Sequence, residues 1–243
     1  MIGSLVPLQP SSRRRPGSTC ARRERLNSGS RPSPGRQLKL LLLFFFAGLI
    51  PIAGFAAVAP APLSPQDQAQ LQRIAGYLNG IHTMSARFQQ VANNGGISSG
   101  RLWVSRPGRM RFEYEQPATL ALLADAGYVY QWDKELKQTA KVELRSTPAW
   151  FILRDPITFG GDVTVTRYEQ GPGTIRVTVV ETARPDLGSL SLVFTENPLS
   201  LRQWTVVDQQ GRHTTVSLSD VQIGVALDPR LFQYQYLFSP PTQ

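Results

Sequence analysis

The 243 residues, 41% of them apolar, suffice for one ordinary domain with a real core and appendages, and they leave little room for a second full domain. The formal charge of +9 sits at one end. Residues 1–39 hold nine basic side chains against Glu24 alone, and the remainder, with 17 basic and 16 acidic residues, is nearly neutral. This excludes a basic nucleic-acid footprint on the folded part, and no nucleic-acid partner is expected. The single cysteine, Cys20, falls in the same basic segment. The rest of the chain therefore has no disulfide, thiol nucleophile, thiolate metal site or cysteine to carry a lipid anchor.

After the basic segment comes the unbroken apolar run Leu40 to Ile50, then Pro51 and the small-residue stretch Ala53 to Ala59. A charged, then apolar, then small-residue order describes a secretory signal peptide. Residues 40–59 also approach the roughly 20 apolar residues of a spanning helix, but Pro51 and the small tail weigh against a retained anchor. Ala57-Val58-Ala59 resembles a cleavage box; Pro60 would hinder the peptidase there, and Gly54-Phe55-Ala56 is the neighbouring candidate. The n-region is long and rich in Arg, Ser, Pro and Gly, which leaves room for a start farther downstream. The expected division is a removed n-region and signal peptide at 1–59 and one domain at 60–243, exported to the periplasm.

A helix is predicted next. Ser64 can cap it, Pro65 suits its first turn and Asp67 completes a capping box. Leu71, Ile74, Leu78 and Ile81 recur at spacings of three and four, a single apolar stripe. Beyond residue 86 the period becomes two. Turn clusters at 93–96, 125–127, 171–173, 196–198 and 208–211 separate alternating runs. Met110, Phe112 and Tyr114 oppose Arg109, Arg111 and Glu113, which read as a wet face. Leu136, Ala140, Val142 and Leu144 oppose Lys137, Lys141 and Glu143. Ile175, Val177 and Val179, then Leu190, Leu192 and Phe194, then Val216 and Leu218 repeat the pattern. The very apolar stretch 147–154 interrupts the strands with a predicted helical turn. About ten strands with one apolar face and few helices imply a mainly β (α+β) fold: a strongly curved sheet or incomplete antiparallel barrel around an apolar interior. Pattern alone leaves open whether side chains or a ligand fill that interior.

Candidate chemistry is sparse. His82 and His213 have no partner at metal-ligand spacing, and no nucleophile motif or phosphate loop is present. Glu113 and Glu115 share a strand face, where pairing with Arg109 and Arg111 accounts for them. No catalytic residue, metal site or cofactor is expected, and the chain is not read as an enzyme. Arg106, beside the tight turn at Pro107-Gly108, reads from physics alone as a rim arginine.

The stretch Gly100-Arg101-Leu102-Trp103-Val104-Ser105-Arg106-Pro107, with Phe112-x-Tyr114-x-x-Pro117, resembles the LolA family of periplasmic carriers of outer-membrane lipoproteins. Ser85-Ala86-Arg87-Phe88-Gln89-Gln90 is similar to a motif at a helix end in that family, and Asp125-x-Gly127, Thr147-Pro148, Asp208-x-x-Gly211 and the Phe-rich end from Phe232 to Pro241 add weaker matches. The aromatic positions after Arg-Pro are partly changed, and the chain ends sooner than enteric members. The resemblance implies a barrel closed by the N-terminal helix and a short helical lid over an apolar cavity for acyl chains. It assigns Arg106 as the lid latch, bonding backbone carbonyls around Trp150 to Leu153. The cavity and lid residues are then Leu102, Val104, Met110, Phe112, Tyr114, Trp132, Trp150, Phe151, Ile152 and Leu153. Implied partners are acylated lipoproteins as cargo, the inner-membrane lipoprotein-releasing ABC transporter and an outer-membrane acceptor, with the chain a monomer. The alternative is a lipid- or lipoprotein-sensing regulatory module on the same fold.

Overall fold

Helix α1 occupies Pro65–Asn79 in a computed structural model that describes residues 58–237; the expected signal segment, but for its last two residues, lies outside the described residues. The capping box read from the sequence starts the helix. Asp67 N–H donates to Ser64 Oγ at 3.2 Å, and Asp67 Oδ2 accepts from the Ser64 N–H at 2.9 Å. Leu71, Ile74 and Leu78 are buried on one face, and Ile81 just beyond the helix joins them.

Eleven strands follow: β1 (Thr83–Ala92), β2 (Ile97–Ser105), β3 (Arg109–Tyr114), β4 (Leu120–Asp125), β5 (Tyr128–Asp133), β6 (Gln138–Glu143), β7 (Val163–Gly171), β8 (Thr174–Glu181), β9 (Ser189–Glu196), β10 (Leu199–Val207) and β11 (His213–Ile223). The one-turn helix α2, Trp150–Leu153, lies between β6 and β7. All the strands form a single sheet in the order β6-β5-β4-β3-β2-β1-β11-β10-β9-β8-β7. Two runs of hairpins are thus joined through β1 and β11, where Phe88 stands opposite Leu218. The sheet does not close, and β6 and β7 are its edges. Residues 85–90, similar to a helix-end motif, lie within β1, as the period of two read from residue 86 onward predicts.

One face of the sheet, the inner face, carries the core. Strand alternation delivers Leu102, Val104, Met110, Phe112, Ile175, Val177, Leu190, Leu192 and Phe194 to one apolar cluster with the buried stripe of α1 and all of α2. Each fully buried large apolar side chain contributes about 1.5–3 kcal/mol, so this cluster dominates stability.

Two expectations for the strands need correction. Every residue of β6 is exposed and Leu136 is 65% exposed, so of the apolar face anticipated there only Leu144, 7% exposed, reaches the core. β6 pairs only with β5, and none of its side chains joins the inner cluster, whereas the other edge, β7, buries Val163 and Val165 there. The second concerns the face of β3 opposite the core, read as wet. Arg111 on it is only 1% exposed. The chain end folds over this outer face through 3₁₀ turns at Pro229–Phe232 and Tyr234–Tyr236. It packs Leu231 and Phe232 on Trp103 and Leu237 on Ala121 and Leu123. Arg111 Nη1 donates to the carbonyls of Leu231 and Tyr236, both at 3.1 Å.

Candidate functional site

The hairpin of β2 and β3 positions the central residue. Its strands approach so closely that a Cβ on Gly100 would stand 2.0 Å from the Glu113 carbonyl oxygen, so only glycine fits. The turn between them contains Arg106, Pro107 and Gly108. Gly108 takes φ +76°, a left-handed conformation that favours glycine, and its N–H donates to the Leu153 carbonyl at 2.8 Å. The turn therefore touches α2 directly.

Arg106 is buried, with 8% of its surface exposed, which corrects the rim position read from the sequence. Its backbone N–H is held by the His82 carbonyl at 2.8 Å. The guanidinium then reaches two covers of the core at once. Nε and Nη2 donate to the Arg154 carbonyl at 3.1 and 2.5 Å, at the residue that ends α2. Nη1 donates to the carbonyls of Leu78 and Ile81, the latter at 3.2 Å, and Nη2 to Asn79 Oδ1 at 3.4 Å. The last carbonyls of a helix lack partners within it and carry partial negative charge, so a buried cation there satisfies both needs. Burial pulls the Arg106 pKa down and Asp155, 3.8 Å away, acts against that shift. The acceptors on the α2 side were expected at Trp150 to Leu153; the guanidinium takes Arg154 and the turn takes Leu153.

Asn79 completes this junction. Its side chain exchanges hydrogen bonds with the backbone of Ile157, at 2.8 and 2.9 Å, so the loop after α2 is fastened to the end of α1. Neither Asn79 nor Arg154 was picked out from the sequence. A polar residue before Gly80 at a helix end and an arginine closing an apolar run are the signals that mark them.

Of the residues expected to line the interior, Leu102, Val104, Met110, Phe112, Tyr114, Trp150, Phe151, Ile152 and Leu153 all join the inner cluster. Trp132 does not. It lies with Tyr130 on the outer face, beside Ala121, Leu123 and Leu237, because its parity along β5 is opposite to that of Val129, which packs on the inner cluster. The interior also holds Phe88 and Trp204, with ring centroids of Phe88 and Phe112 4.8 Å apart and those of Phe112 and Trp204 6.4 Å apart. Side chains pack closely where this interior meets α2. The void against α2, lined by Trp150, Phe151, Val163 and Val179 among others, measures about 20 Å³, room for one water. The one titratable side chain of the β3 face turned inward is Tyr114, whose hydroxyl donates to Gln90 Oε1 at 2.9 Å and whose pKa burial pushes up to about 12.

Among the described residues this junction sets no nucleophile beside a base; its buried donors tie the end of α1 to the end of α2. A family model described as outer membrane lipoprotein carrier protein LolA matches residues 79–235, a span that includes Arg106 and its partners other than Leu78. The chain belongs to the LolA family. The outer-membrane lipoprotein carrier protein of Legionella pneumophila (strain Lens) is 29% identical over 182 residues, covering 72% of this chain and 87% of that protein. The protein of the same name from Pseudomonas aeruginosa (strain UCBPP-PA14) is 27% identical over 207 residues, covering 81% and 95%. Among solved structures, a LolA superfamily protein from Nitrosomonas europaea superposes with a TM-score of 0.40 at 12% identity, over 69% of this chain and 99% of that one. Within this family frame, the Arg-Pro turn at 106 and 107 is where the chain's own geometry concentrates its buried polar contacts.

Proposed function

We propose that this protein is an exported, periplasmic carrier that takes the acyl chains of lipoproteins into the apolar interior beneath α1 and α2 and moves them from the inner to the outer membrane. The observation that carries the reading is the buried guanidinium of Arg106, bonded at once to the end of α1 and the end of α2. It acts as a latch. An arginine offers several donors in a rigid fork, and each bond from a charged donor contributes about 1.5–3 kcal/mol, strong enough to hold two covers closed and weak enough to break in exchange for ligand.

The need for such a carrier follows from hydration. Each exposed CH₂ costs about 0.8 kcal/mol in water, so one long acyl chain costs on the order of 10 kcal/mol and several chains multiply that. A carrier must also let go. The void of about 20 Å³ against α2 does not admit a long acyl chain, so uptake there draws on the open state, and the apparent affinity falls by the fraction of molecules that are open. Closure thus competes with cargo and favours delivery. In this reading the inner-membrane lipoprotein-releasing ABC transporter loads the protein and an outer-membrane acceptor unloads it, with the carrier monomeric between them.

Native mass spectrometry of the purified protein with a triacylated lipoprotein tests the reading. A soluble one-to-one complex is expected, and the absence of any such complex contradicts it.

A further inference from the structure

The latch leaves one cluster of charge on α2 unexplained. Arg154 gives its carbonyl to Arg106, but its side chain turns to other partners. Nη1 stands 2.7 Å from Asp162 Oδ1, and Nη2 donates to the Thr158 carbonyl at 2.9 Å and to Thr158 Oγ1 at 2.5 Å. The same guanidinium lies 4.9 Å from the ring centre of Trp150 and 5.3 Å from that of Phe151. Arg145 approaches the Trp150 ring as well, at 5.0 Å, and reaches Asp162 Oδ2 at 3.8 Å. Two guanidiniums on the aromatic side chains of α2 therefore converge on one carboxylate. That carboxylate is tied to the sheet, since the Asp162 carbonyl accepts from the Thr182 N–H at 3.0 Å.

We propose that Arg154 and Asp162, with Arg145, form a second, electrostatic clasp that fastens α2 to the sheet and makes its opening sensitive to salt; as a regulation of cargo entry, this rests on the carrier reading above. The clasp differs from the latch in its exposure. The Arg106 side chain is 3% exposed, beyond the reach of dissolved ions. The side chains of Asp162 and Arg145 are 52% and 65% exposed and that of Arg154 is 13% exposed, and all three line an open cleft of about 490 Å³ together with Trp150 and Asp155. Ions enter such a cleft, and exposed pairs weaken as the screening length shortens. Arg154 joins the two devices, because its backbone serves the latch and its side chain serves the clasp. It is a positioning residue for α2.

The test uses the ligand-free protein. Hydrogen exchange of the Phe151, Ile152 and Arg154 amides is followed in wild type and Asp162→Asn at about 0.01 M and about 1 M salt, between which the screening length falls from about 30 Å to about 3 Å. At low salt Asp162→Asn is expected to raise exchange at these amides about two- to fivefold, with β1 and β2 unchanged, and high salt is expected to bring wild type to the level of the variant. Exchange that is unaltered at α2, or that rises equally throughout the sheet, overturns the clasp. Uptake of a fluorescent long-chain fatty acid is read in the same samples. If the α2 amides respond as stated while neither protein takes up the probe, the clasp stands and the carrier reading falls.

Discussion

Two buried arginines on one hairpin serve the two faces of the sheet in different ways. Arg106 bonds carbonyls of two separate covers, the end of α1 and the end of α2. Arg111, with its back to the core, bonds two carbonyls of a single segment, the folded chain end. Burial and carbonyl bonding are common to both, so neither identifies a latch. What distinguishes them is where the acceptors sit: those of Arg106 lie on two elements that pack on the inner cluster, and those of Arg111 on one segment over the outer face around Trp103 and Leu123. In the carrier reading proposed above, the inner arginine governs access and the outer one governs stability.

The most severe way to break the comparison is to remove the hairpin on which both arginines depend. Gly100→Ala places a Cβ 2.0 Å from the Glu113 carbonyl oxygen and is expected to cost about 3 kcal/mol or more, as forced overpacking against backbone does. Urea unfolding measures it, and unchanged stability would contradict the close pairing of β2 and β3. Next comes Arg111→Leu. It leaves two carbonyls under the chain end without a donor and Glu113 without its cation, at about 3 kcal/mol. The melting temperature should fall by about 6–12 °C for a chain of this size. Exchange of the α2 amides should not change beyond that global loss.

How much of this was legible in the sequence differs between the two faces. The inner face was readable because alternation and the helix stripe are local signals, and Leu102, Met110, Phe112 and Leu78 obey them. Resemblance supplied the importance of Arg106, which local pattern placed at the rim. The outer face was misread for a physical reason. Arg111 is buried by Leu231 to Leu237, residues more than a hundred positions away, and a strand pattern that alternates apolar with charged cannot reveal a distant cover over its charged side. Trp132 failed similarly: an aromatic residue on a strand looks equally suited to either face until the register of β5 is fixed. The apolar residues around β6 were deceptive because alternation within a strand does not tell whether any element covers its apolar side; β7, the other edge, does bury Val163 and Val165.

Tyr114 sharpens the picture of the inner face. Its phenol, with a pKa of about 12 against an ordinary 10.0, binds its proton more tightly folded than unfolded. The stability it contributes is complete below pH 10 and is lost as pH rises from about 10 to about 12, amounting to about 2–3 kcal/mol at 1.36 kcal/mol per unit. Unfolding followed across that range should show the step, and Tyr114→Phe should remove it. Arg106→Leu is expected to cost at least about 1.5–3 kcal/mol by thermal unfolding, the net worth of one bond from a charged donor, with the remaining loss limited as carbonyls freed beside α1 and α2 regain water.

The direct test of the account is the rate at which the protein exchanges a triacylated lipoprotein, compared between wild type, Arg106→Leu and Arg111→Leu under conditions where all three are folded. Removing the latch shifts the balance between closed and open states, so Arg106→Leu is expected to change the rate about tenfold, the factor that 1.4 kcal/mol of lost closure gives, with Arg111→Leu at the wild-type rate. Equal rates for Arg106→Leu and wild type, or an equal change in both variants, would contradict it.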